Sequence, residues 1–327
     1  MPSLRFWRFL AQRLLKMVAI VLAIAVANFL LIHAAPGDPA SVMAGEAGAA
    51  DPKFLAQLRA QFGLDQPLST QLWIYLVHLL HGDMGMSYRQ GRPVFGLIME
   101  RLPATLLLTG TAFVFAVLMG MLLGAMAARR VGRTADSVIT VLALGFFATP
   151  IFWVGLMLVL VFSVWLDWLP SFGMNTVGAD LHGWAAVADT VPYLVLPALT
   201  LGLFYMAIYA RLTRATMLEV ASQDFVRTAR AKGVPEGRIL RRHILRNALL
   251  PVITYAGIQA GQLIGGSILV ETVFAWPGVG RLALDALLAR DYQLLLGVFL
   301  CTSVLTVVFN LVTDLIYVWV DPRVEAG

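Results

Sequence analysis

Charge is what this chain has least of. Asp, Glu, Lys and Arg make up 13% of its 327 residues, about half the share in a soluble domain. There are only three lysines, Lys16, Lys53 and Lys232. None is followed by Ser or Thr, so the chain has no G-x-x-x-x-G-K-[ST] phosphate loop and no ATPase of that kind. The single cysteine, Cys301, has no partner within the chain. That excludes an internal disulfide and leaves the redox compartment open. His78 and His81 form an i, i+3 pair, but no third ligand lies nearby to make a metal site. Neither H-E-x-x-H nor G-x-S-x-G occurs to suggest a hydrolase. No catalytic residue, metal or cofactor is expected on this chain.

Apolar residues fill the space that charge leaves. They reach 59%, with a mean hydropathy of +0.80, the signature of an all-α integral membrane protein. Six runs have charge-free centres: roughly 17–33, 103–127, 137–165, 191–210, 251–270 and 294–318. Each approaches or exceeds the ~20 residues that cross the hydrocarbon of a bilayer. The first could also be a signal peptide. Pro36 directly after "HAA", His33 at −3 and Ile32 in the other register argue for an uncleaved helix. No run carries an ionisable residue near its middle, which counts against a proton- or sodium-coupled carrier. Asp314 is the nearest exception, in the inner half of the last run, where pairing or capping is expected rather than a proton relay.

The positive charges, which give a pI near 9.6, sit in particular loops. That pattern indicates membrane topology rather than nucleic acid. Arg5, Arg8, Arg13 and Lys16 precede the first run, and Arg129, Arg130 and Arg133 join the second to the third. The loop "DWLPSFGMNTVGADLHGWAAVADTVP" has no Lys or Arg. The positive-inside rule then places both termini in the cytoplasm and that loop outside. The stretch from Arg211 to Arg246, with nine Lys and Arg, is cytoplasmic as well.

Two connections are long enough for structure of their own. Residues 34–100 form an external insertion, a lid on the helices or a contact for a soluble partner. In it "DPKFLAQLRAQFG" is a short helix with Asp51 as cap, Pro52 in the first turn and Gly63 as stop. "LSTQLWIYLVHLLHG" is a second, apolar enough to rest on the membrane. The internal stretch "DFVRTARAKGVPEGRILRRHILRNALLP" reads as two helices. Leu218, Ala221, Phe225 and Ala229 make one apolar stripe, with Arg227 and Arg230 away from it. Gly233 stops the first helix and Pro235 starts the second, with Glu236 suited to the dipole. Leu240, Ile244 and Ala248 repeat at i+4, Arg238 and Arg242 share another face, and the second helix ends at Pro251. On charge alone the pair could lie on anionic lipid. A glycine stop, a proline start and an apolar Phe225 suit docking into a solid partner better.

With these motifs in place, the chain resembles permease subunits of ATP-binding-cassette importers of the peptide/nickel group. "DFVRTARAKG", a spacer and "LRNALLP" resemble their cytoplasmic loop. "APGDPA", "FGLDQPL", "GDMGMSY", "RLPATLLL" and "ETVFAWPGVGRL" follow in the order of that family over nearly the whole chain. One departure narrows the group. In sugar and amino-acid importers the loop reads E-A-A-x-x-x-G, whereas here Arg227, Thr228 and Ala229 stand six to four residues before Gly233. That feature and the long spacer to Pro251 are similar to the peptide/nickel branch.

The resemblance implies a type I importer permease fold with six transmembrane helices in the inner (cytoplasmic) membrane of a bacterium. A core over 101–322 would carry a coupling loop, 212–250, and an external loop, 271–293, ahead of a short tail, 323–327. The partners implied are a second, non-identical permease, two ATPase subunits that bind ATP and Mg, and a periplasmic solute-binding protein. Surrounding lipid completes the set; nucleic acid is not among the partners. Ser222, Gln223, Asp224, Phe225, Arg227, Thr228, Arg230, Ala231, Lys232 and Gly233 would form the ATPase-coupling helix, with Phe225 as plug and Asp224, Arg227 and Lys232 as rim. Glu271, Phe274, Trp276, Pro277 and Gly278 would shape the outer mouth, or else form a surface turn. The cargo implied is a di- or oligopeptide moved by alternating access. A nickel chelate, glutathione or another small solute is the alternative. A nucleotide-independent channel or carrier is a further alternative, from a different class.

Overall fold

The computed structural model describes residues 4–34 and 65–320. The expected helix over Asp51–Gly63, the "APGDPA" motif and the tail 323–327 lie outside the described residues, as does the side chain of Asp314. The described chain is helical, with one isolated antiparallel bridge between Met86 and Pro93 and no named strand. Its elements are α1 (Leu4–Ala34), α2 (Leu68–Leu80), α3 (Val94–Arg129), α4 (Thr134–Ala148) and α5 (Ile151–Leu158). A π-helical segment, Val159–Trp165, continues α5. Then come α6 (Trp184–Ala221), α7 (Asp224–Ala231), α8 (Glu236–Arg238), a second π segment (Ile239–Leu245), α9 (Arg246–Gly266), α10 (Ile268–Val273), α11 (Val279–Leu288) and α12 (Tyr292–Val320).

Among the described residues, four helices are long and apolar enough to cross a membrane: α1, α3, α6 and α12. They become five if the bent pair, α4 with α5 and its π segment, counts as one. The run over 137–165 is thus not one straight span. It turns by 107° at Thr149–Pro150, because proline has no N–H for the ladder and disfavours helix in the residue before it. The fifth expected run forms α9, 21 residues long, which carries Asn247, Gln259 and Gln262 and is less apolar than the others. Two boundaries also shift. α3 starts at Val94, ahead of the expected 103, with Pro103 inside it. α6 starts at Trp184 rather than 191 and runs 38 residues to Ala221.

The chain divides into two compact units. One gathers residues up to Pro103 with Leu282–Leu311 and the last four residues; the other holds Ala104–Arg281 with Val312–Arg323. In the first, Asp291 caps α12, its Oδ1 accepting the Leu294 N–H at 3.2 Å. Its Oδ2 accepts the Ser87 hydroxyl and the Arg89 N–H, and Gln293 donates to the Met84 carbonyl at 2.9 Å. "GDMGMSY" is thereby tied to the start of α12. α2 forms as expected and buries none of its residues.

The second unit is built around α6, whose Leu196, Leu201, Tyr205 and Tyr209 are buried with Leu108, Ala112 and Ala116 of α3. Between apolar helices in lipid there is no water to expel, so close van der Waals contact has to hold them. "GMLLG" supplies it: a Cβ on Gly120 would lie 2.9 Å from the Met206 carbonyl, and one on Gly124 would lie 2.7 Å from Thr213 Cβ and collide with the Ala210 carbonyl. Gly124→Ala is therefore expected to destabilise the protein by about 1–3 kcal/mol. Gly110→Ala, on the same helix with nothing within 4 Å, is expected to be neutral or better. Thermal melting of both variants in detergent tests this, and equal melting temperatures would refute the close-contact account.

Candidate functional site

α6 stops at Ala221, and Ser222 and Gln223 turn the chain before α7 begins at Asp224. Gln223 is extended, at φ −74 and ψ 152. The expected stripe from Leu218 to Ala229 is therefore split between two helices. Instead α7 stands on Val226 and Ala229, which are buried with Met217 and Val220 of α6 and with Ile239, Ile244 and Ala248. Phe225 flanks that seated face and is 41% exposed. Ser222, Gln223, Asp224, Phe225, Arg227, Thr228, Arg230, Ala231, Lys232 and Gly233 are all exposed. Phe225 is the one large apolar side chain of α7 that is exposed.

The end of α7 is fixed by a double turn. The Gly233 N–H bonds the Arg230 carbonyl at 2.9 Å and the Val234 N–H bonds the Ala229 carbonyl at 3.2 Å, the Schellman pattern. Gly233 holds φ +73 there, a conformation that side chains with Cβ rarely adopt. Val234 packs into the same cluster as Ala229. Across the turn the Arg230 Nε donates to Glu236 Oε1 at 2.8 Å, tying α7 to α8. Asp224 and Arg227, 3.6 Å apart and largely exposed, add little. With Lys232, Arg238, Arg241, Arg242 and Arg246 also exposed, the surface is cationic and suits an acidic partner.

After Pro235 the second helix departs from expectation at two points. The π turn widens the spacing, so Ile239 and Ile244, five apart, are the buried pair and Leu240 is only partly covered. Helix α9 then passes through Pro251 without stopping. Below α7, the Arg214 guanidinium grips Asp136 through both oxygens, at 2.6 and 2.9 Å, and Asp136 also takes the Gly132 N–H at 3.1 Å. This bidentate pair ties the turn before α4 to α6. Sequence reasoning missed it; the available signal was a lone acidic residue in the basic "RRVGRTAD".

The predicted outer-mouth residues are mostly interior. Glu271, Phe274 and Trp276 are at most 1% exposed and Gly278 is also buried, while Pro277 is half-buried. They knot "ETVFAWPGVGRL" to "RLPATLLL" rather than lining an open surface in this chain. Glu271 Oε1 accepts the hydroxyls of Thr105, at 2.8 Å, and Ser267, at 2.9 Å, and Oε2 accepts the Arg281 N–H at 2.9 Å. Thr105 Oγ1 in turn accepts the Val279 N–H at 2.8 Å, and the Trp276 indole donates to the Ala104 carbonyl at 2.9 Å. A Cβ on Gly280 would lie 2.9 Å from Glu271 Oε2, and one on Gly278 would strike the same carboxylate.

Residues 120–326 match the family model described as binding-protein-dependent transport system inner membrane component, and residues 6–109 match its N-terminal companion. The chain belongs to that family. It is 42% identical over 317 residues to the glutathione transport system permease protein GsiC of Escherichia coli (strain K12), covering 97% of this chain and 98% of that one. It is 41% identical over 322 residues to the oligopeptide transport system permease protein AppB of Bacillus subtilis (strain 168), covering 97% and 99%. Among solved structures, inward-facing conformations of the MetNI methionine ABC transporter share the fold at a TM-score of 0.56 and 18% identity, over 69% of this chain and 96% of that one. The protein is a multi-pass permease subunit of a peptide/nickel-group importer, as its motifs implied.

Thr105 is the hinge of the permease's buried knot, since its hydroxyl is both donor to Glu271 and acceptor from Val279. Thr105→Val keeps the shape and strands both partners. A loss of about 1–3 kcal/mol is expected, read as a lower melting temperature in detergent. An unchanged melting temperature would mean that the knot is held without this hydroxyl.

Proposed function

We propose that this permease moves di- or oligopeptides from periplasm to cytoplasm, driven by separate ATPase subunits that engage α7. The observation that carries the reading is the exposed Phe225 on a helix that Val226 and Ala229 seat in the core. A helix held this way transmits a push along its footing to α6, where a loosely attached one would yield. In this reading Phe225 fills an apolar cleft on the ATPase, the exposed cations form the rim, and Gly233 sets the exit angle. ATP and Mg act on the partner subunits, and this chain binds neither. Closure of the ATPases shifts the spans between inward-open and outward-open states.

The permease sits in the inner membrane with both termini cytoplasmic and pairs with a second, non-identical permease; a binding protein delivers the solute from outside. The split of the basic loops from the loop lacking Lys and Arg supports that orientation. Relatives named for oligopeptide and for glutathione transport support a peptide cargo, glutathione being itself a tripeptide.

The test is uptake of labelled dipeptides, tripeptides and glutathione into vesicles holding the complete transporter. ATP-dependent uptake is expected, and it should fall to background in Phe225→Ala and Gly233→Asp while the protein still inserts and assembles. Uptake that persists in both variants would make the loop a lipid-facing anchor. The preferred solute decides between a general peptide and glutathione.

A further inference from the structure

We propose that the C-terminal end of α3 binds a phospholipid with an anionic headgroup, its phosphate on Arg129, Arg130 and Arg133 and its acyl chains along an exposed face of the helix. The site needs only that α3 spans the bilayer, and it does not depend on the importer reading. The three arginines stand within five residues, in the turn that joins α3 to α4. The Arg130 N–H on the Ala127 carbonyl and the Arg133 N–H on the Arg130 carbonyl, both at 3.0 Å, hold that turn. Gly132 takes φ +73 in it. All three arginines are exposed, and among the described residues no carboxylate pairs with any of them. The acid that follows the turn, Asp136, is already taken by Arg214 and by the Gly132 N–H. On α6, Arg211 adds a further cation, its guanidinium 5.6 Å from the centre of the Phe147 ring. Cations gathered by a tight turn and left without a counter-ion suit a phosphate, which guanidinium groups grip in paired bonds.

A second observation makes the anion a lipid rather than a free ion. Leu107, Val114, Leu118 and Leu122 are 39%, 55%, 58% and 53% exposed. Their spacing by seven and four keeps them on one side of α3, and Arg129, seven past Leu122, ends the same face. From Leu118 to Arg129 the helix rises roughly 16 Å, close to half of a ~30 Å hydrocarbon core. An acyl chain lying on this face therefore brings its headgroup to the arginines. The positive-inside rule accounts for basic residues in the loop. It does not account for cations left unpaired in line with an exposed apolar face, whereas a basic site at the cytoplasmic end of a span is where anionic headgroups bind. The orientation proposed above puts the site in the inner leaflet. A lipid held there clamps the turn that Asp136 ties to Arg214 of α6.

Cys301 is the chain's sole native cysteine, which allows a local readout. In a Cys301→Ala background, Met126→Cys carries a fluorophore beside the face, one turn short of Arg130, and the other subunits are freed of cysteine. The assembled transporter is placed in vesicles of phosphatidylethanolamine and phosphatidylglycerol, with bromine on the chains of one lipid or the other. Quenching then gives the ratio of the two lipids at the label. Phosphatidylglycerol is expected at least ~10-fold above its share of the membrane, one cation beside an anionic headgroup being worth about 5-fold. Arg129→Gln, Arg130→Gln and Arg133→Gln together should bring the ratio to that of the bulk, while lysine at the same three positions should keep most of the enrichment. Arg241→Gln, Arg242→Gln and Arg246→Gln, exposed in the segment after α8, remove the same charge and should leave it unchanged. No enrichment in the parent, or equal enrichment in the first glutamine set, would overturn the inference. Equal loss in both glutamine sets would overturn it as well, leaving only a general effect of charge. Quenching by neither lipid would overturn it by showing that protein covers this face. Peptide uptake plays no part in the readout, so this site and the importer reading fail separately.

Discussion

Apolar helices in a bilayer gain nothing from expelling water, so their association depends on how closely their backbones can approach. In the second unit one such approach runs where Gly120 and Gly124 of α3 meet Met206, Tyr209, Ala210 and Thr213 of α6. The rest of the unit hangs from α6. Helices α4, α5 and α9 pack on it, and its last turns receive the foot of α7. A helix of 38 residues that reaches from the bent pair to the coupling segment can carry a displacement along its length as a rigid body.

Polar anchors then set what the packing leaves loose. At one end the Asp136–Arg214 pair fixes the turn before α4 against α6. At the other, the Glu271 carboxylate with Thr105, Ser267 and Arg281 fixes the loop between α10 and α11. Both are expensive to bury unless fully bonded, and both are bonded by several donors. Such knots are more specific than apolar contact, because a shifted register leaves donors and acceptors stranded. The α7 segment and the loop between α10 and α11 are therefore built on the same helix set, with the broken span between α4 and α5 packed alongside.

The turn after α7 and the exposed charges around it were legible in the sequence because their chemistry is local. Gly233 and Pro235 mark the turn whichever way the helices pack, and the charges of Arg227, Arg230 and Lys232 can only be solvated or paired. The face of α7 was harder to read. Phe225 and Val226 are neighbours and both apolar, so periodicity alone cannot tell which one points inward. The pair Val226 and Ala229 wins because the chain breaks at Ser222–Gln223 and restarts at a new angle. A similar ambiguity hid Ile239 behind Leu240, since a π turn changes the period on which the count relies. The kink at Thr149–Pro150 did have a signal, the proline itself, but a 29-residue apolar run over 137–165 read as one span.

By itself the sequence determined that this is a membrane permease with a basic, turn-punctuated loop. Those properties follow from composition, charge placement and motifs, which are read residue by residue. It did not decide which groups would be buried together. The family resemblance placed Glu271 and Trp276 at the outer mouth, with no sign in the loop of Pro and Gly of what they would pack against. Tertiary structure turned them inward, since Thr105 and the Ala104 carbonyl, more than 160 positions away in the chain, complete their bonds. Long-range pairing of this kind leaves no local period in the sequence, because it is satisfied only once distant helices are in place.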